Sequence, residues 1–128
     1  MRLILDTHAF IWWDAAPQKM SAKAYSACLD RGNTLHLSLA SVWEMQIKAS
    51  LGKLHLRLPL ADLIRDHQTR NGLLLESIEL PDILQLDRLP MHHRDPFDRM
   101  IIAQALTGGF HLVACDSEFP AYSVPLFW

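Results

Sequence analysis

The stretch Arg2-Leu3-Ile4-Leu5-Asp6-Thr7-His8-Ala9-Phe10 decides how the rest of the chain is read. Its apolar part is strand-length and does not alternate with polar residues. That pattern suits a strand buried on both faces, as in a parallel sheet. The run stops at a carboxylate, Asp6, and a helical pattern follows over Ala9–Ala15. Working outward, apolar runs at Thr34–Leu39, Leu73–Leu80, His111–Asp116 and Val124–Phe127 read as further strands. Between them lie helical stretches at Ser21–Asp30, Ser41–Gly52, Leu60–Arg70 and Pro81–Leu89. A last helix opens at Asp95-Pro96 and stops at Gly108-Gly109. Ser41 and Glu44 fit a capping box, and Gly52 suits the stop. Strand and helix alternation at this spacing predicts an α/β fold, with helices on both faces of a parallel sheet of about five strands.

Length and charge narrow the classes. The chain has 128 residues and a formal charge of −2, which suits one domain spanning residues 1–128. That balance excludes a disordered polyelectrolyte and argues against holding nucleic acid by overall positive charge. Apolar runs fall short of the ~20 residues of a membrane helix, and Asp14, Gln18 and Lys19 interrupt any signal-like stretch. A cytoplasmic protein with no membrane partner is therefore expected. Cys28 and Cys115 make a poor disulfide framework and are both expected to be buried thiols.

In an open parallel sheet, ligands bind beyond the carboxyl ends of the strands. Asp6 ends the first expected strand, Asp116 ends the fourth, and Glu44 opens the helix after the second. These three project to one edge of the sheet. Asp98 follows another helix, so topology alone does not bring it there. Each acid also has a local explanation: Asp6 as a helix cap, Asp116 in a turn, Glu44 in a capping box, Asp98 on a helix dipole. Like charges gathered at one edge repel, however, unless a cation neutralises them. An all-oxygen set suits Mg²⁺ or Mn²⁺ rather than zinc.

Four segments carry a resemblance across nearly the whole chain: LILDTHAFIWW (3–13), SLASVWEMQIKASLGKL (38–54), LPMHHRDPFDRMIIAQAL (89–106), and LVACDSEF with VPLFW (112–119 and 124–128). They resemble the PIN-domain ribonucleases of the VapC toxin type. The resemblance implies a three-layer α/β/α PIN-like domain in which four acids hold one or two divalent cations. The matching positions are Asp6, Glu44, Asp98 and Asp116, with Asp6 and Asp98 the firmest ligands. It also implies an endonuclease acting on RNA, a cognate antitoxin that silences it, and a homodimer. Ala114 stands where such proteins often carry Ser or Thr, and Ser123 where they often carry Gly.

Hydrolysis of a phosphodiester builds charge on the attacking and leaving oxygens, which two metals ~3.5–4 Å apart can stabilise. The expected products carry 5′-phosphate and 3′-hydroxyl ends. Asp95, before proline, suits an N-cap with a supporting role. Thr7 is expected to cap a helix or to orient Asp6 or water. Lys48, Arg94 and Arg99 are candidate RNA-binding residues, and Lys53 is equally suited to a solvated face. Adjacent His92 and His93 lack zinc-site spacing and suit a structural or RNA-facing role. Phe10, Trp12, Trp13 and Trp43 suit core or a subunit interface better than base stacking. Two other readings fit less well. An acidic-pocket receiver-like module needs a lysine after the last strand, and none follows Asp116. An α/β phosphatase needs a D-x-D pair, and position 8 is His.

Overall fold

β1 (Arg2–Leu5) is the central strand of a five-stranded, all-parallel sheet with the order β3-β2-β1-β4-β5. The structure is a computed structural model and describes residues 1–91, 95–115, 119 and 122–128. β2 (Thr34–Ser38) pairs with β1 on one side, Leu3 opposite Leu35 and Leu5 opposite Leu37. β4 (His111–Val113) pairs on the other, Ile4 opposite Leu112. β3 (Leu74–Glu76) and β5 (Leu126–Phe127) are short edge strands.

Side chains of a strand alternate between faces, so β1 feeds two cores. Leu3 and Leu5 join Leu35, Leu37 and Val113 beneath α1 (Thr7–Ala15), α2 (Ala22–Leu29), α3 (Leu39–Ser50) and α4 (Leu60–Asn71), where Phe10, Trp13, Met45 and Leu63 pack. Ile4 and Leu112 face α6 (Pro96–Gly108), with Ile101, Ile102, Phe110 and Phe119. α5 (Leu80–Gln85) packs on α6. The result is the expected three-layer α/β/α arrangement. α4 and α6 end in left-handed glycines, Gly72 (φ +66°) and Gly109 (φ +68°). Among the described residues no helix is long and apolar enough to cross a membrane.

Several boundaries differ from those expected. α3 starts at Leu39 because Ser38, not Ser41, is its cap: the Ser38 hydroxyl accepts from Ala40 N at 3.0 Å. The expected Ser41–Glu44 capping box is therefore absent, and both side chains point to other partners. α1 starts at Thr7, capped by Asp6, so Thr7 itself caps nothing. β3 stops at Glu76 rather than Leu80, since the Glu79 N–H is taken by Asp82 Oδ2 at 2.9 Å as α5 begins. β4 likewise stops at Val113. Cys28 is buried, and burial pushes its thiol up to about 12, but Cys115 is exposed because it lies past the strand.

His36 sits in β2 on the α6 face, its ring edge-on to Phe110 at 4.8 Å. Nδ1 lies 2.6 Å from Glu76 Oε1 and Nε2 2.9 Å from Thr34 Oγ1. Burial lowers its pKa below the ordinary 6.5, and Glu76 opposes that without cancelling it. A depressed folded-state value means the unfolded chain binds more protons below pH 6.5. The stability this group contributes is present above that pH and lost as pH falls through the folded-state value. Urea unfolding should thus show stability falling as the pH drops below the ordinary histidine value of 6.5, less steeply in His36→Gln. Equal slopes for the two proteins would count against the assignment.

Candidate functional site

The order β2-β1-β4 places a topological switch point between β1 and β4, where parallel α/β sheets bind ligands. Asp6 stands there. Its N–H donates to Val113 O at 3.1 Å, and its Oδ1 accepts from Ala9 N at 2.7 Å. The residue is 4% exposed, so a carboxylate is held in place at the start of α1 with little water around it.

Thr7 turns toward α3. Its hydroxyl donates to Glu44 Oε1 at 2.8 Å and lies 3.0 Å from Ser41 Oγ. A hydroxyl has one proton, so when Thr7 donates to Glu44 it accepts from Ser41. Glu44, also 4% exposed, is thereby fixed by a relay running from Ser41 through Thr7. Its other oxygen, Oε2, receives the Lys48 ammonium at 2.6 Å, one helical turn along α3. That hydrogen bond is the main cause of a raised Lys48 pKa. Partial burial opposes it, and the charges of Glu44, Asp95 and Asp98 reinforce it.

Asp98 reaches this pocket by a route that strand topology does not supply. α3 packs on α6, where the Trp43 and Phe97 rings meet edge to face at 5.3 Å. The first turn of α6 therefore lies beside Lys48. Asp95 caps that turn, accepting from Phe97 N at 2.8 Å and Asp98 N at 3.2 Å, in the supporting role expected of it. Asp98 is half-buried. Arg99 donates to Pro90 O at 2.9 Å and to Leu86 O at 3.1 Å, tying α6 to the turn after α5. Lys53 is exposed beyond the end of α3. Asp116, His92, His93 and Arg94 lie outside the described residues. Ala114 is buried and offers no hydroxyl.

Asp6 at the β1–α1 junction, Thr7 on α1 and Glu44 on α3 thus lie together, and Lys48 links them to the charge of Asp98 on α6. Among the described residues no three of His, Cys, Asp and Glu close into a metal cage. In kind the donors suit a hard cation, because all are oxygens and two of the carboxylates are almost fully buried. Of the aromatic residues, Phe10 and Trp13 are core, whereas Trp43 is 61% exposed.

Two arrangements escaped the sequence reading. One is the Ser41–Thr7–Glu44 relay. The other joins α1 to α4, where buried Asp14 accepts from His67 Nε2 at 2.8 Å and from Arg57 at 2.9 Å. Arg70 and Arg57 also hold Asp66 at about 2. The i, i+4 spacing of Glu44 and Lys48 was a readable signal for their pairing.

The fold and the site define a parallel α/β domain with an acidic pocket at its switch point. Residues 3–125 match the PIN domain family, and the chain belongs to it. It is 26% identical over 125 residues to Ribonuclease VapC22 of Mycobacterium tuberculosis, covering 96% of this chain and 93% of that protein. Among solved structures, VapBC2 from Rickettsia felis bound to a DNA fragment from their promoter superposes with a TM-score of 0.73 at 15% identity, covering 98% of this chain and 96% of that one. FitAcB from Neisseria gonorrhoeae superposes at 0.62 and 18%, with the same coverage of 98% and 96%. Those two likenesses bear on the fold.

Thr7→Val should leave the buried Glu44 Oε1 without its donor and cost about 1–3 kcal/mol in urea unfolding. Thr7→Ser should recover most of that loss. A Thr7→Val protein as stable as the parent would show that the relay is not what holds Glu44.

Proposed function

We propose that this chain is an endoribonuclease, the toxin half of a toxin–antitoxin pair, and hydrolyses RNA phosphodiesters with Mg²⁺ or Mn²⁺. The observation that carries this reading is the pair of almost fully buried carboxylates, Asp6 and Glu44, at the sheet's switch point. Taking a carboxylate out of water costs several kcal/mol even when it is hydrogen-bonded, and a divalent cation held by the two would offset that cost. Membership of the PIN domain family supports the class, and the ribonuclease named among its relatives supports the substrate.

In this reading Asp6, Glu44, Asp98 and Asp116 hold the cation. When bound, it would supply an activated water and stabilise charge on the departing oxygen. The chain's own residues organise the pocket. Ala9 N fixes Asp6, Thr7 orients Glu44, and Asp95 sets the turn that carries Asp98. Lys48 and Arg94 are assigned to the RNA phosphates. Arg99, whose donors go to the backbone carbonyls of Leu86 and Pro90, contributes by fixing α6 against the turn after α5.

The partners under this reading are RNA, a cognate antitoxin and a second copy of the chain, in the cytoplasm. Leu39, Trp43, Ile47 and Leu51 form an exposed stripe at i+4 spacing along α3, an apolar face suited to a subunit contact. If so, Leu51→Asp should shift the protein toward monomer in light scattering.

Cleavage of a labelled RNA by the purified chain should need Mg²⁺ or Mn²⁺, stop with EDTA, and leave 5′-phosphate and 3′-hydroxyl ends. Asp6→Asn, Glu44→Gln, Asp98→Asn and Asp116→Asn should each lower the rate by at least the roughly 10–100-fold that loss of an outer partner costs a metal site. Circular dichroism should stay unchanged. Undiminished cleavage by an Asp6→Asn/Asp98→Asn double variant would refute the assignment.

A further inference from the structure

We infer that Lys48 is an exchangeable counter-ion of the acidic pocket: its ammonium holds Glu44 Oε2 while the pocket lacks a divalent cation, and gives up that oxygen when one binds. The inference rests on the metal-dependent reading above and adds to it a competition built into α3.

The geometry supports exchange over permanent support. Glu44 is almost fully buried, and its Oε1 partner, Thr7, is a neutral donor that cannot cancel the charge. Oε2 is the side of the carboxylate that receives a cation, with Lys48 Nζ at 2.6 Å. The Lys48 side chain is 41% exposed, whereas that of Glu44 is 5% exposed. The lysine therefore reaches in from solvent on a flexible four-carbon stem, rather than being packed in place. Its attachment one turn along the same helix lets it pair with Glu44 without any other element moving.

Lys48 also feels the charges of Asp95 and Asp98, so it answers the pocket as a whole. An ammonium and a divalent cation on one carboxylate oxygen compete for the same negative charge. Their mutual repulsion at ~4 Å is itself worth kilocalories near a protein surface. A dication bound to Glu44 thus displaces Lys48, and the displaced ammonium stays at the pocket mouth, where an RNA phosphate would meet it. A lysine that only braced Glu44 would act oppositely, aiding metal binding by holding the ligand in place.

The two roles predict opposite signs. Mn²⁺ titration of the purified full-length chain by calorimetry, without RNA, should give tighter binding in Lys48→Met than in the parent. The gain should be about fivefold or more, the lower end of ordinary site-to-site coupling. Lys48→Arg keeps the charge and should stay within about twofold of the parent. In EDTA, Lys48→Met should melt below the parent, and saturating Mn²⁺ should close the gap. If Lys48→Met proves too unstable to titrate, recovery of its helical circular dichroism on adding Mn²⁺ supports exchange, and no recovery overturns it. Mn²⁺ binding that is unchanged or weaker in Lys48→Met, but lost in Asp6→Asn, would overturn the exchange while leaving the metal site standing. A parent that binds no Mn²⁺ would overturn both.

Discussion

A strand buried on both faces can carry no charge along its length, and the chain has to stop being a strand where charge begins. Leu3, Ile4 and Leu5 are fully buried, and the next residue, Asp6, leaves the ladder to cap α1. Capping fixes the Asp6 carboxylate at the carboxyl end of the central strand. It also makes Thr7 the first residue of the helix and turns its hydroxyl toward α3 rather than toward the helix's own backbone. The strand core, the helix start and the acidic pocket are consequences of one change from apolar to charged.

The pocket is then a problem of compensation. Two carboxylates with almost no access to water are held by a backbone N–H, a hydroxyl relay and one ammonium. Holding carboxylates out of water costs free energy even where their hydrogen bonds are made. A ligand of opposite sign would offset that cost. The overall charge of −2 therefore says little about an anionic substrate, because attraction depends on what the pocket holds.

Much of this was legible along the chain. The unbroken apolar run before Asp6, the Asp95-Pro96 start of α6 and the Gly72 and Gly109 stops are short-range signals, and the structure keeps them. Where the reading missed, a longer-range demand had intervened. Ser41 and Glu44 have capping-box spacing, but Ser38 already caps α3, which frees both for Thr7. The apolar run after Leu73 reads as a long strand, yet Glu79 and Asp82 turn it into α5. Cys115 continues an apolar run but lies past the point where β4 stops pairing.

By itself the sequence determined which residues are acids, which apolar runs fill a two-faced sheet, and that Asp6 stands at a strand's carboxyl end. Periodicity, capping and charge act over a few residues, so they survive in one dimension. Only the tertiary structure decided that the turn carrying Asp98 lies near Lys48. Their helices come from opposite faces of the sheet and meet where Trp43 packs on Phe97. It also decided that Lys48 faces three acids at once. Such proximities depend on how two layers cross at an edge, a distance in space that no local pattern encodes.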